Sequence, residues 1–202
     1  MIKTIISDLG NVIVYVDPHK ITKSLAKYSN YDEKYIYDFF NQSLARKGFD
    51  KGKISKEKFF RHFKDNLNLK MSFNQFRKAW CACFDGLNKD MVKLLKKLKK
   101  NYRLILLSNT DEIHFNYLKK KYKILNIFDD SVLSYKVGYA KPNPMIFLKA
   151  IRKAKTSPKQ IFFIDDIYSF VGVARMLKIK AAQYTSFNNL KIDLRKNSIK
   201  FK

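Results

Sequence analysis

The sequence predicts an α/β fold, a parallel sheet with crossover helices whose chain is interrupted by a helical insertion. Three observations carry that prediction. Apolar runs occur in KTIISDLGNVIV (3–14), LILLSNT (104–110) and QIFFIDD (160–166), and helical patterns separate the last two. Each run ends in small polar or acidic residues: Asp8, then Ser108-Asn109-Thr110, then Asp165-Asp166. Residues 15 to about 86 carry helical signal alone.

The first strand bears one carboxylate at its C-terminal end, and Gly10 breaks it. A buried carboxylate needs a metal or hydrogen bonds to offset its desolvation, so Asp8 is a candidate nucleophile or metal ligand, with simple turn capping as the alternative. Asp17-Pro18 opens a helix through HKITKSLAKYS, and a second follows from Asp32. Gly48 and Gly52 mark a turn. Ser55 starts a third helix and Ser72 a fourth, where Phe73, Phe76, Trp80 and Phe84 recur at three- and four-residue steps, the spacing of a core stripe. From Asn88 the pattern alternates. Met91, Leu94, Leu95 and Leu98 form one helix face, and the LILLSNT strand leads to a helix from Asp111 to about Lys121. A weaker strand is expected at Ser131 to Tyr135. A helix over MIFLKAIRKAK precedes the QIFFIDD strand, and a helix over Val171 to Leu177 leads to a last strand at Lys180 to Tyr184.

With 202 residues, 46% of them hydrophobic, the chain can bury one good-sized core or a core with an inserted subdomain. Basic residues outnumber acidic ones 42 to 17, a net charge of +25. They are mostly Lys and lie along the whole chain with no nucleic-acid-binding motif, so no specific nucleic-acid partner is expected. The charge suits steering of phosphorylated metabolites. Cys81 and Cys83 have no second Cys or His pair and read as buried free thiols. Asp8 interrupts the only apolar run near the N-terminus, and no stretch approaches a membrane span. A cytoplasmic protein with no membrane partner is the expectation; nothing in the sequence speaks to oligomeric state.

In a parallel sheet the three polar strand ends lie along one edge, where ligands bind, and a loop can bring Lys141 to it. This set suits phosphoryl transfer. Clustered carboxylates repel unless a cation joins them, and hard oxygen ligands select Mg²⁺. A Ser hydroxyl, amides at a helix start and a Lys ammonium are the donors that equatorial phosphoryl oxygens need. Lys141 would hold Asp8 ionised for attack on phosphorus.

Four segments in order, SDLGNV (7–12), LLSNT (106–110), GYAKPNP (138–144) and FIDD (163–166), make the chain resemble the haloacid dehalogenase-like hydrolase superfamily. DKGKISKEKF (50–59) resembles part of the small helical cap of that family. DLGNV with the acidic pair is similar to a sugar-phosphate phosphatase branch that includes bacterial glucose-1-phosphate phosphatases. The resemblance implies a Rossmann-like core of residues 1–14 and 87–202 and a cap of residues 15–86. It implies a Mg²⁺-dependent phosphatase acting on a small phosphorylated substrate, a sugar phosphate for instance, through an aspartyl-phosphate. Asp8 would be nucleophile and metal ligand, with the Gly10 carbonyl and Asp166 as further ligands and Asp165 binding directly or through water. Ser108, Asn109 and Lys141 would hold the phosphoryl group. Dehalogenation has little use for an acidic pair.

Two positions depart from the family pattern. Gly10 stands where most of its phosphatases carry an Asp acting as general acid and base, help worth about 10²–10⁴-fold in rate. Leaving groups that need little protonation are therefore expected. Phe170 stands where the family commonly has an Asn that braces the acidic loop and the Lys. These departures motivate the alternative of a phosphate-binding protein of the same fold with weak or no turnover. His19, His62 and His114 are expected at surface or capping positions, and Arg46 at a solvated helix end.

Overall fold

A computed structural model describes residues 1–201. In chain order the strands and helices are β1 (Thr4–Ser7), β2 (Val14–Val16), α1 (His19–Ala26), α2 (Glu33–Gln42), α3 (Leu44–Phe49), α4 (Lys56–Asn66), α5 (Phe73–Trp80), β3 (Phe84–Leu87), α6 (Lys89–Leu98), β4 (Arg103–Ser108), α7 (Glu112–Lys121), β5 (Asp130–Leu133), α8 (Ser134–Val137), α9 (Pro144–Ala154), β6 (Ile161–Asp165), α10 (Tyr168–Met176), β7 (Lys180–Gln183) and α11 (Phe187–Lys196).

Five strands form one parallel sheet in the order β5-β4-β1-β6-β7. Alternate side chains of the central strands feed opposite layers. Ile5, Leu104, Leu106, Phe162 and Ile164 pack with α6, α7 and α11. Ile6, Ile105, Leu107 and Phe163 pack under α9 and α10. Because both faces are covered, these strands read as unbroken apolar runs. The fold is the expected α/β class with a Rossmann-like parallel core.

Helices α1 to α5 build a separate apolar cluster around Phe59, Phe63, Phe76 and Trp80, joined from the sheet side by Ile113 of α7. Ser55 and Ser72 cap α4 and α5 as their positions predict, Ser72 within a capping box with Gln75. The centre of the aromatic stripe is core, Phe76 and Trp80 stacking with ring centroids 5.7 Å apart, but α5 ends at Trp80 and the partly buried Phe84 belongs to β3.

The reading of residues 15 to 86 as helical alone is corrected. β2 and β3 pair antiparallel, Val14 opposite Leu87 and Val16 opposite Phe84, at the point where the chain leaves and re-enters the sheet layer. The β-branched Val14 and Val16 favour the extended backbone. Gly48 lies inside α3 and is no turn residue. Gly52 does turn the chain, with φ +64°, and its Cα approaches Tyr135 so closely that a Cβ would sit 2.0 Å from the Tyr135 carbonyl oxygen. β5 ends at Leu133, before the expected boundary, because Ser134 begins a helical turn.

Candidate active site

Asp8 directly follows β1, the central strand. Ser108 ends β4 on one side of it and Asp165 ends β6 on the other. Parallel pairing thus places all three at one edge, and Asp8 N–H donates to the Ile164 carbonyl at 2.8 Å to fix the register there. Lys141 arrives from the loop before α9. Asn109 clamps that loop from both sides: its Oδ1 accepts from Lys141 N–H at 2.7 Å and its Nδ2 donates to the Lys141 carbonyl at 2.9 Å. The Asn109 side chain thus holds the Lys141 backbone and keeps one Nδ2 hydrogen beyond that clamp, beside the cavity. The Thr110 amide is taken, donating to Ser134 Oγ at 2.9 Å.

The Lys141 ammonium is buried and lies 2.8 Å from Asp8 Oδ1. It donates to Asp165 Oδ2 at 2.6 Å and to the Leu107 carbonyl at 3.3 Å. Burial works against its charge, but Asp8 and Asp165 outweigh burial and raise its pKa. Oxygens of Asp8, Asp165 and Asp166 come within 4.8 Å of one another. Burial, then the charge of Asp8, pushes Asp165 up to about 7 and raises Asp166 as well. Three carboxylates against one ammonium leave a surplus of negative charge, the donor set a hard divalent cation fits. Asp165 has little left to offer it, since its Oδ1 accepts from Ile167 N–H at 2.9 Å and its Oδ2 serves Lys141. Asp8 and Asp166 are the freer carboxylates.

Gly10 follows in the turn. Asn11 there adopts φ 52°, and its Oδ1 accepts from Val16 N–H at 3.0 Å, tying the turn to β2. A cavity of about 280 Å³ opens over this edge. Asp8, Ser108, Lys141 and Asp166 line its floor; Phe40, Arg46, Phe84 and His114 line its walls.

Two wall residues were not legible as such. Arg46 stands in the last turn of α3, as expected, but is not simply solvated: its guanidinium lies 4.5 Å over the Phe40 ring and its Nε donates to the Phe40 carbonyl at 3.1 Å. His114 is partly buried and bonded through both ring nitrogens. Its Nδ1 is 2.9 Å from Asp111 Oδ2 and its Nε2 is 2.8 Å from the Trp80 carbonyl. A carbonyl only accepts, so both ring nitrogens donate and the ring is an imidazolium. Burial opposes that charge, but Asp111 overrides it and raises the His114 pKa well above its ordinary value. Asp111 itself is fully buried, yet His114 and Trp80 Nε1, the latter 2.9 Å from Oδ2, hold its pKa low. The Asp-x-x-His spacing at a helix start was the available signal.

The second acidic pair, Asp129-Asp130, stays out of the site. Asp129 accepts from Leu104 N–H and pairs with Lys99, and Asp130 pairs with Lys153. Cys81 and Cys83 are buried and unbridged, and burial pushes the Cys81 thiol up to about 12. No helix among the described residues is long and apolar enough to cross a membrane.

Comparison with known proteins places the whole chain. A family model described as a haloacid dehalogenase-like hydrolase matches residues 2–169. The D-ribitol-5-phosphate phosphatase of Bacteroides thetaiotaomicron is 28% identical over 189 residues, covering 91% of this chain and 92% of that one. A crystal structure of a family enzyme from the same organism, in complex with magnesium and inorganic phosphate, is 28% identical with a TM-score of 0.85, covering 94% of this chain and 99% of that one. The L-2-haloacid dehalogenase of Xanthobacter autotrophicus, 16% identical with a TM-score of 0.64 over 99% of this chain and 85% of its own, shares the fold.

Proposed function

The chain belongs to the haloacid dehalogenase-like hydrolase family, and on that premise we propose that its sheet-edge site is the active centre of a Mg²⁺-dependent phosphatase for a small phosphorylated metabolite. One observation carries the reading: Asp8, Asp165 and Asp166 converge around the Lys141 ammonium and face a cavity. The phosphatase relative and the magnesium and phosphate complex support the same chemistry and point to a sugar or polyol phosphate.

Asp8, Asp166 and the Gly10 carbonyl would hold Mg²⁺, with Asp165 acting through water. When bound, the ion offsets the carboxylate surplus and the charge on the phosphoryl oxygens. Lys141 keeps Asp8 ionised and oriented. Asp8 attacks phosphorus, the bond to the leaving oxygen breaks, and water releases phosphate from the resulting aspartyl-phosphate. Ser108 Oγ receives one equatorial oxygen, and Lys141 can turn to another the hydrogen of its long 3.3 Å contact with the Leu107 carbonyl. Residues 15–86 act as the cap, whose Phe40 and Arg46 form the wall that selects the leaving group and excludes water.

His114 does not replace the missing acid at position 10, because both its ring N–H groups are committed. A panel of sugar, polyol and aryl phosphates, assayed with and without Mg²⁺, tests the proposal. Mg²⁺-dependent phosphate release is the expected result, and no release from any member contradicts it.

A further inference from the structure

Phe170 stands third in α10, one turn beyond the acidic loop, where Ile167 accepts from the Phe170 and Val171 amides at 3.0 and 3.2 Å. That anchoring carries the half-buried ring back over the strand ends. Its centroid lies 5.1 Å from Lys141 Nζ, and the Phe163 centroid lies 5.8 Å from the same atom. The ammonium therefore meets Asp8, Asp165 and the Leu107 carbonyl through its three hydrogens and two aromatic rings on other sides.

We propose that Phe170 is the positioning residue for Lys141, its ring holding the ammonium between Asp8 and Asp165 through a cation–π contact. An aromatic ring within about 6 Å attracts a cation through its quadrupole, most strongly where water is excluded. Lys141 is such a place, with its side chain 1% exposed. Phe163 is fixed in the sheet and packs edge-on against Phe147 at 5.6 Å. Phe170 lines the same cavity as Lys141, so it is the ring of the two on the open side of the ammonium. A hydrogen-bonding side chain at this position would compete with Asp8 and Asp165 for the three ammonium hydrogens; an aromatic face adds attraction without taking one.

The inference rests on the reading that Lys141 serves phosphoryl transfer, and its test separates the two. Phenylalanines carrying one, two and three ring fluorines are placed at position 170. Fluorination drains the ring quadrupole while nearly preserving shape, so a merely structural role leaves the series flat. Mg²⁺-dependent kcat/KM on an aryl phosphate is expected to fall stepwise. The trifluorinated ring should match Phe170→Leu, about 5- to 30-fold below wild type, the range a desolvated cation–π contact spans. The same series at Phe147, which faces no cation, is expected to change nothing. Affinity for inorganic phosphate with Mg²⁺, measured by calorimetry on the same proteins, should weaken in the same order. That second readout decides the inference even where wild type shows no turnover, a result that by itself counts against the phosphatase reading alone. A flat fluorine series in both readouts overturns the role of Phe170.

Discussion

Buried Lys141 and partly buried His114 are cations lining one cavity, and their surroundings differ in charge count. Lys141 faces Asp8 and Asp165 with Asp166 close by, three carboxylates to one ammonium. His114 pairs with Asp111, and the nearby carboxylate of Asp50 is paired with Arg46, so charges balance there; Trp80 completes the arrangement by donating its indole N–H to Asp111 and offering its carbonyl to the imidazolium. A surplus of negative charge draws a further cation and an electrophile; a balanced pair draws nothing. The first cluster is poised for chemistry, while the second joins α5 of the helical unit to the start of α7 on the sheet. Burial alone does not distinguish a working charge from a structural one, but the local balance does.

Asp8→Asn removes the attacking oxygen and leaves the fold standing, so turnover should drop by about 10³-fold or more with an unchanged thermal transition. An Asn variant that retains activity removes Asp8 from the working cluster. Deleting each cation sharpens the contrast. Lys141→Met and His114→Gln should each destabilise by about 3–5 kcal/mol in the absence of metal, because each strands buried carboxylate. Mg²⁺ should restore much of the loss in Lys141→Met, where it can replace the missing charge, and none in His114→Gln. Chemical denaturation with and without Mg²⁺ reads both; equal rescue would erase the distinction.

Gly10→Asp probes the acid that neither cluster supplies. The Gly10 backbone lies outside the left-handed region and a Cβ there would meet only Val16 Cγ2, at 3.5 Å, so the side chain fits without strain. Activity on alkyl phosphates should rise by about 10- to 100-fold, within the usual range for general acid–base help. Aryl phosphates, whose leaving groups need little protonation, should gain least. Equal gains on both would place the limitation elsewhere.

The smallest effect is in pH. The His114 pKa is raised by folding, so its stabilisation is full below the ordinary 6.5 and fades as pH climbs through the raised value. The Asp111 pKa is lowered, so its stabilisation is full above the ordinary 3.8 and is lost as pH falls through the lowered value. Thermal transitions followed upward from neutral pH should decline in wild type and lose that part of the slope in His114→Gln.

The sheet and its reactive edge were legible because a doubly covered parallel strand is an apolar run, and a carboxylate or hydroxyl at its end stands out. Asp8, Ser108 and Asp165 could be placed on one edge from strand ends alone, and Lys141 was read as a loop residue able to reach it. The joint was not legible. His114 sits in an ordinary helix, and only the fold brings the Trp80 carbonyl, 34 positions away, to its Nε2. Asn109 reads as a phosphate ligand in the sequence, and its clamp on the Lys141 backbone is visible only in three dimensions. Phe170 looks like a lost hydrogen bond until the geometry shows an aromatic face turned to the same ammonium. The β2–β3 ladder escaped because three or four residues carry too little periodicity to outweigh five flanking helices.

The central claim is that the surplus of charge at the sheet edge serves a nucleophile. Wild-type protein mixed with Mg²⁺ and a turned-over phosphate ester, quenched in acid within milliseconds to seconds and mapped by peptide mass spectrometry, tests it most directly. A phosphoryl group on Asp8, absent from Asp8→Asn, is the predicted result. Turnover with the phosphoryl group on another side chain, or undiminished turnover in Asp8→Asn, would contradict it.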